Sequence, residues 1–344
     1  MIDSAVRKLI AGLLLGSCAG GTQQQNGTAP PTEGGTPVSE AVATITAVDF
    51  RARIGFLADD ALRGRDTPSP GLEVAAAYIA SEFRRFGLEP AGDSGSYLQR
   101  WPFGDSRPPN VVGILEGSNP ALAGTYIVFS AHMDHVGVGA PDARGDSIYN
   151  GADDDASGTS AILELAEAYA SLPVPPARSL IFLTVSGEEQ GLLGSAYFAD
   201  HPPVPFESIV ANINIDMIGR NSPDSAVVIG QEYSSLGPLA VATAQGHAEL
   251  RLSVGPDPWP EERFFFRSDH FHFARREIPA LFFFTGVHED YHRPSDHVEK
   301  IDTDKAARIA RLIFHIGYAI ATDSQPPRWS QDGLAEVRRL TGER

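Results

Sequence analysis

Cysteine is almost absent: Cys18 is the only one in 344 residues. No internal disulfide can form, and no set of thiolates is at hand to bind a metal. Basic residues are scarce as well, 27 Lys and Arg against 44 Asp and Glu, for a formal net charge of −17. That balance argues against nucleic acid or an anionic membrane surface as the main partner. It suits cationic ligands, such as peptides with a free amino terminus, and equally a merely solubilising surface. A spanning helix is missing from the amino terminus, where the apolar stretch 9–15 is too short to cross a bilayer. What remains, 42% hydrophobic and 21% charged residues, is ordinary for a soluble globular chain. The length supports one large domain with appendages.

The first 17 residues follow signal-peptide grammar, with Arg7 and Lys8 ahead of the apolar stretch and small residues after it. "LGSC" resembles a bacterial lipobox. That resemblance implies cleavage before Cys18, lipidation of its thiol and, with Ala19 next, outer-membrane delivery in a Gram-negative cell. The alternative is a plain signal peptide with an incidental cysteine. The chain is thus expected to be exported and lipid-anchored through Cys18 to the bacterial envelope, at the outer membrane, in the periplasm or on the cell surface. Residues 18–40 are Gly, Gln, Thr and Pro-rich with almost no large apolar side chain, and read as a flexible tether. A folded domain is expected over 41–325 and a tail over 326–344.

Within the domain, helices and strands alternate. "GLEVAAAYIASEFRRFG" (71–87) puts Val74, Tyr78, Ile79, Phe83 and Phe86 along one helical face and ends at Gly87. Segments 157–172, "SLGPLAVATAQGHAEL" and 305–322 also read as helices. "NVVGILEG", "TYIVFSAHMD", "RSLIFLTVS", "SIVANINIDMIG", "SAVVIG" and "IPALFFFTG" read as short apolar strands. The fold class is α/β, a mostly parallel central sheet with helices on both faces. In such sheets, sites gather just past the carboxyl ends of the strands.

Polar residues cluster at those ends. His132, Asp134 and His135 follow one strand, and "NGADDDASG" precedes the helix at 157. Glu188 and Glu189 follow the next strand, Asp216 the next, and Tyr291 and His292 the last. Singly, each has an ordinary explanation: a structural hydrogen bond, a helix cap, a solvated turn. Asp216 is the odd one, because a carboxylate inside an apolar strand is costly without a partner. A mixture of imidazoles and carboxylates with no usable thiol suits zinc, cobalt or manganese.

The order and wording of these motifs resemble the di-zinc aminopeptidases of metallopeptidase family twenty-eight. The segments that carry the likeness are "LADDALRGRDTPSPG", "EPAGDSGSYLQ", "SAHMDHVG", "NGADDDASGTSAILELA", "SGEEQGLLGSAYF", "NIDMIGR", "SDHFHFAR" and "DYHRPSDHVEKID", spread over about 50 to 322. The resemblance implies the zinc-exopeptidase (phosphorylase/hydrolase-like) fold and removal of amino-terminal residues from peptides by a hydroxide shared between two zinc ions. It implies His132 and Asp216 as ligands of one zinc, Glu189 and His292 of the other, and Asp154 as the bridge. Counting back three from Ser157 selects Asp154, with Asp153 and Asp155 as alternatives. The Asp154–Asp155 peptide is expected to be cis. Asp134 is expected to accept a hydrogen bond from the far nitrogen of His132. Glu188 is expected to shuttle the proton as general base and acid, backbone alternation sending it away from Glu189. Tyr291 is expected to donate to the developing oxyanion, or else to pack.

Other residues draw a structural reading. His270 and His272 belong to a helix start capped by Ser268 or Asp269, and His135 and His297 act structurally or behind the ligands. Asp296 is a candidate to orient His292. Arg267 and residues 264–266 line a specificity pocket or pack in the core. Rival readings keep the fold: a dipeptidase or carboxypeptidase, which needs a basic cluster for the substrate carboxylate (Arg220 and Arg267 are available), or a single-zinc glutaminyl-cyclase-like transferase. A catalytically inactive peptide-binding surface protein is the reading from another class.

Overall fold

The computed structural model describes residues 35–342. The signal peptide and Cys18 lie outside them. In chain order the elements are α1 (Pro37–Ala43), α2 (Ala47–Leu57), α3 (Pro70–Phe86), β1 (Glu89–Pro90), β2 (Leu98–Arg100), β3 (Pro109–Leu115), β4 (Tyr126–His132), α4 (Ala156–Ala170) and β5 (Ser179–Val185). They continue with α5 (Leu193–Asp200), β6 (Ile209–Ile215), β7 (Ser225–Ile229), α6 (Leu236–Gly246), β8 (Ser253–Gly255), α7 (Phe271–Ala274), β9 (Ala280–Phe284), α8 (Thr303–Thr322) and α9 (Gln331–Thr341).

Nine strands form one mixed sheet in the order β1-β3-β5-β4-β6-β9-β7-β8, with β2 also on β3. The four central strands β5, β4, β6 and β9 are parallel, as the apolar runs predict. The flanks turn antiparallel where β3 joins β5 and β7 joins β9. Side chains alternate across the sheet. Ile127 and Phe129 of β4 belong to the large core under α2, α3, α4, α6 and α8, while Val128 faces a smaller core closed by Phe198 of α5 and Phe273 of α7. Helices therefore cover both faces.

Because β4, β5, β6 and β9 run the same way, their carboxyl ends open on one edge. β5 and β6 lie on opposite sides of β4, so successive crossovers diverge at the end of β4 and leave a crevice there. His132, the last residue of β4, stands in that crevice.

Three details depart from the sequence reading. Helix α1 starts at Pro37, inside the stretch read as tether, capped by the Thr36 side chain and burying Ala41. The stretch read as a tail carries α9, whose Val337 is buried with Trp329 and Leu340 packed nearby. In α3, Gly87 ends the helix in the left-handed region with φ 81° as expected. The buried face, however, is Leu72, Ala75, Ala76, Ile79, Ala80 and Phe83, and Val74 is 49% exposed. Small alanines let the helix sit close to the sheet, so the larger Val74 falls outside. No helix among the described residues is long and apolar enough to cross a membrane.

Candidate metal centre

Each site residue sits where an apolar strand gives way to a turn. Beyond β4, the His132 Nδ1 lies 3.2 Å from the Asp134 main-chain oxygen. A carbonyl only accepts, so Nδ1 carries a proton and Nε2 is the nitrogen that faces the crevice. The Asp134 carboxylate is farther, 3.6 Å from Nδ1. It is engaged elsewhere, accepting from Thr67 Oγ1 at 2.9 Å, the Gly187 amide at 2.8 Å and the Glu188 amide at 3.4 Å. Asp134 thus anchors the turn that carries the two glutamates, and its backbone rather than its side chain orients His132.

The three consecutive aspartates have different surroundings. Asp155 caps α4: Oδ1 accepts from the amides of Gly158 (2.7 Å) and Met217 (3.2 Å), and Oδ2 from that of His132 (3.3 Å). Asp153 Oδ1 accepts from the Gly219 amide at 2.6 Å, and Oδ2 stands 3.2 Å from His288 Nε2. Asp154 alone is flanked by the two imidazoles, Oδ1 3.2 Å from His132 Nε2 and Oδ2 3.1 Å from His292 Nε2. The Asp154–Asp155 peptide is cis.

Around that carboxylate two groups form. His132 Nε2 is also 3.6 Å from Asp216 Oδ1, and His292 Nε2 is 3.1 Å from Glu189 Oε2. Ser268 Oγ fixes Asp216 by donating to its Oδ2 at 2.8 Å. The five residues predicted as ligands are thus brought together. Asp154 Oδ2, Asp216 Oδ1, Glu189 Oε1 and both ring nitrogens of His135 have no hydrogen-bond partner among the described residues. Buried polar atoms are normally satisfied, so a cluster of oxygen and imidazole donors left unpaired fits divalent cations. Two groupings with ligand atoms within 4.8 Å of one another occur, His135, Asp154, Glu189 and His292, and His132, Asp155 and Asp216. Asp155 is already spent on three amides.

Electrostatics agree. Burial would lower His132, but Glu188, Asp216, Asp134 and Asp154 outweigh it and hold the imidazole well above its usual range. His292 is likewise raised, to about 10, by Asp154 and Glu189 against the opposing effect of burial. Burial drives Glu188 well above an ordinary glutamate, with Asp269, Asp216 and Glu189 adding repulsion and His132 opposing it. So many carboxylates in one crevice require positive charge to be stable together.

Sequence comparison gives the family directly, for a profile described as "Peptidase family M28" matches residues 110–317. The chain belongs to that family. It is similar to a "Probable zinc metalloprotease" of Pyrenophora tritici-repentis, 27% identical over 75% of this chain and 62% of that protein. It also resembles "Aminopeptidase YwaD" of Bacillus subtilis, 27% identical over 64% of this chain and 46% of that one. The chain spans about three-fifths or less of the length of these curated relatives. In fold it resembles an aminopeptidase from Aneurinibacillus sp. strain AM-1 (TM-score 0.65, 17% identity, 84% of this chain and 97% of that chain). The LapA aminopeptidase of Legionella pneumophila is similar too (TM-score 0.66, 20% identity, 84% and 75%).

In this M28 chain an open cleft leads to the centre, lined by His132, Asp154, Glu188 and Asp216. Phe264, Phe282, Phe284, Val287, Arg267 and Tyr291 line the rest, with Met217. Glu188 therefore opens to the cleft, whereas Glu189 faces the imidazoles. The pair sits on a turn past the end of β5, closed by the Gly191 amide donating to the Glu188 main-chain oxygen at 2.8 Å. The turn, not strand alternation, separates their directions. Tyr291 stacks on His292 with ring centres 3.9 Å apart. Burial and the neighbouring Asp154 and Glu189 push its hydroxyl up, so it stays a donor. Of residues 264–266 only Phe264 reaches the cleft.

Asp296 does not orient His292; its Oδ2 accepts from the amides of Asp153 (2.9 Å) and Asp154 (3.2 Å) and so shapes the aspartate run. His270 is buried against Phe282 and Phe265, and burial lowers it to about 3, so it is a neutral core residue. His272 is lowered to about 4, again chiefly by burial. His297 lies 3.4 Å from Asp146 Oδ2, away from the centre.

Arg65 escaped the sequence reading. It is completely buried and donates to four main-chain oxygens, of Met133 (2.8 Å), Leu57 (2.5 Å), Asn150 (2.7 Å) and Gly151 (3.0 Å). Burial brings it down only to about 10, so it stays charged beneath Asp134, Asp154, Asp155 and Asp296. It ties the end of β4 to the loop leading into the aspartates. Arg65→Lys keeps the charge but loses the fork, and is expected to cost about 3 kcal/mol or more in denaturant unfolding by leaving carbonyls unpaired. Zinc affinity should fall with it.

Proposed function

We propose that the chain is a zinc aminopeptidase that binds two ions and hydrolyses the first peptide bond of substrates with a free amino terminus. The observation that carries this reading is Asp154, one oxygen toward His132 and the other toward His292, each imidazole in the company of a further carboxylate. The names borne by the Bacillus subtilis and Pyrenophora relatives point the same way.

His132, Asp154 and Asp216 would hold one ion, and Asp154, Glu189 and His292 the other. Two such ions, when bound, supply Lewis-acid activation of water and of the scissile carbonyl. The chain's own residues do the rest. Glu188, open to the cleft and outside both ligand groups, takes the proton of the attacking water and returns it to the departing amine. Tyr291, kept protonated, donates to the oxygen on which negative charge develops. The apolar wall of Met217, Phe264, Phe282 and Phe284 excludes water and receives one side chain.

Arg220 weighs against the carboxypeptidase alternative. Its Nη2 pairs with Asp290 at 2.9 Å, bracing the turn that bears His292 together with Lys300, which reaches the same carboxylate at 2.5 Å. It is not among the residues that line the cleft.

The test is zinc content together with hydrolysis of paired substrates, aminoacyl and amino-blocked. Two ions per chain and cleavage of the free-amine member alone are expected. Equal cleavage of blocked substrates would overturn the aminopeptidase reading, and full activity with one ion would overturn the two-ion reading.

A further inference from the structure

His135 stands outside the five ligands just named. It is completely buried on the loop after β4, and neither ring nitrogen has a hydrogen-bond partner among the described residues. His270 is unmet in the same way but packs against Phe265 and Phe282, whereas His135 faces carboxylates. Its Nδ1 faces the second donor group, 2.8 Å from Glu189 Oε1 and 3.6 Å from Asp154 Oδ2. The close approach to Glu189 is not aligned for donation, since both atoms count among those without a hydrogen-bond partner. A ring nitrogen brought this close to two carboxylates, with His292 in the same group, is arranged as ligands of one cation are.

Two further observations agree. The rings of His135 and His292 have centres 5.5 Å apart at 72°. Two imidazoles bound through nitrogen to one tetrahedral ion, at about 2.0–2.1 Å each, have centres roughly 5 Å apart. The ring also occupies a built niche. Gly151 has φ +59°, and a Cβ there would meet His135 Cγ at 2.5 Å, its Cδ2 at 2.6 Å and the Asp154 main-chain oxygen at 2.2 Å. Only glycine lets the backbone that leads to Asp154 pass this close to the imidazole.

We propose that His135 is a ligand of the second ion through Nδ1, completing a four-residue set with Asp154, Glu189 and His292. The inference rests on the two-ion reading above. It makes the centre unequal: the second site has a full protein shell, while the first, with His132, Asp154 and Asp216, keeps a position open. The second site should fill first and empty last.

The experiment titrates the metal-stripped full chain with zinc in competition with a chromophoric chelator, and records the visible spectrum as cobalt(II) is added. The wild-type chain is expected to bind two ions, one at least tenfold tighter. His135→Ala should lose the tighter class by tenfold or more and weaken the cobalt d–d band of the first equivalent. His135→Gln keeps an amide donor but is a poor ligand, so full restoration of affinity and spectrum by Gln would overturn ligation in favour of a hydrogen bond. Unchanged binding in His135→Ala would overturn it as well. His135→Cys gives a direct signature that does not depend on the alanine variant folding. A thiolate-to-cobalt charge-transfer band, absent from the wild type despite its Cys18, is expected at the first equivalent, and its absence in a folded protein overturns the proposal. Uptake of a single ion by the wild type would instead sink the two-ion reading, and the cysteine band would still decide His135.

Discussion

Glu188→Gln should lower kcat by about 10²–10⁴-fold, the usual worth of a positioned general base, while zinc content stays at the wild-type level. The substitution keeps size and polarity, and the Glu188 amide remains held by the Asp134 carboxylate at 3.4 Å. Only proton transfer is removed, so KM should change little. The acid limb of the rate profile should disappear with it. In the wild type the base must be ionised, so activity falls as pH drops through the Glu188 pKa. Burial, with repulsion from Asp269, Asp216 and Glu189, pushes that carboxyl above the ordinary glutamate value. Cations in the centre act in the opposite direction, so metal occupancy sets how far the limb moves. Undiminished turnover, or zinc lost along with activity, would show that Glu188 is not the proton carrier.

Much of this centre was legible because chemistry and topology coincide. β4, β5, β6 and β9 are apolar runs that end in His132, Glu188 and Glu189, Asp216, and Tyr291 and His292, and parallel strands bring all those ends to one edge. The middle aspartate of the run could be singled out by counting from Ser157, and its place between two imidazoles follows from Asp155 capping α4 and Asp153 meeting Gly219 and His288. What stayed hidden depends on distant partners. Arg65 reads as an ordinary charged residue until four carbonyls from separate segments converge on its guanidinium. Asp134 gives no sign that it serves the glutamate turn rather than His132. His135 looked structural, and its interest arises only from Glu189 and Gly151 closing around it. At the flanks, β1, β2 and β8 are two or three residues long. Such strands carry no period, so neither their existence nor the antiparallel turn of the sheet edges could be anticipated. Val74 was misplaced because the pattern favoured large side chains over the alanines that pack closest.

Asp154→Asn should have the widest effect of any single change in the centre, because one carboxylate serves both groups. Its two oxygens face different imidazoles, at 3.2 Å and 3.1 Å. An amide offers one weak oxygen ligand and turns a donor N–H toward the other imidazole, so one ion loses its bridge and the other meets repulsive polarity. Asp216→Asn and Glu189→Gln each touch one group only. The distinction can be read without measuring activity, by thermal unfolding with and without a chelator. An ion present at about a hundred times its dissociation constant stabilises the folded state by about 2.7 kcal/mol, and two such ions by roughly twice that. For a domain of this size that corresponds to roughly 5–10 °C in Tm. The wild type should therefore lose about that much when zinc is chelated, the Asp216 and Glu189 variants about half, and Asp154→Asn almost nothing, because it holds little zinc to lose. A chelator response in Asp154→Asn as large as in the wild type would show that the two groups do not share this carboxylate, and would assign the bridge to another residue of the aspartate run. The single-group variants also order the sites. If the ions bind independently apart from Asp154, the losses in Asp216→Asn and Glu189→Gln should sum to the wild-type loss. A larger chelator loss in Asp216→Asn, which keeps the Glu189 group intact, than in Glu189→Gln would mark the Glu189 group as the tighter of the two.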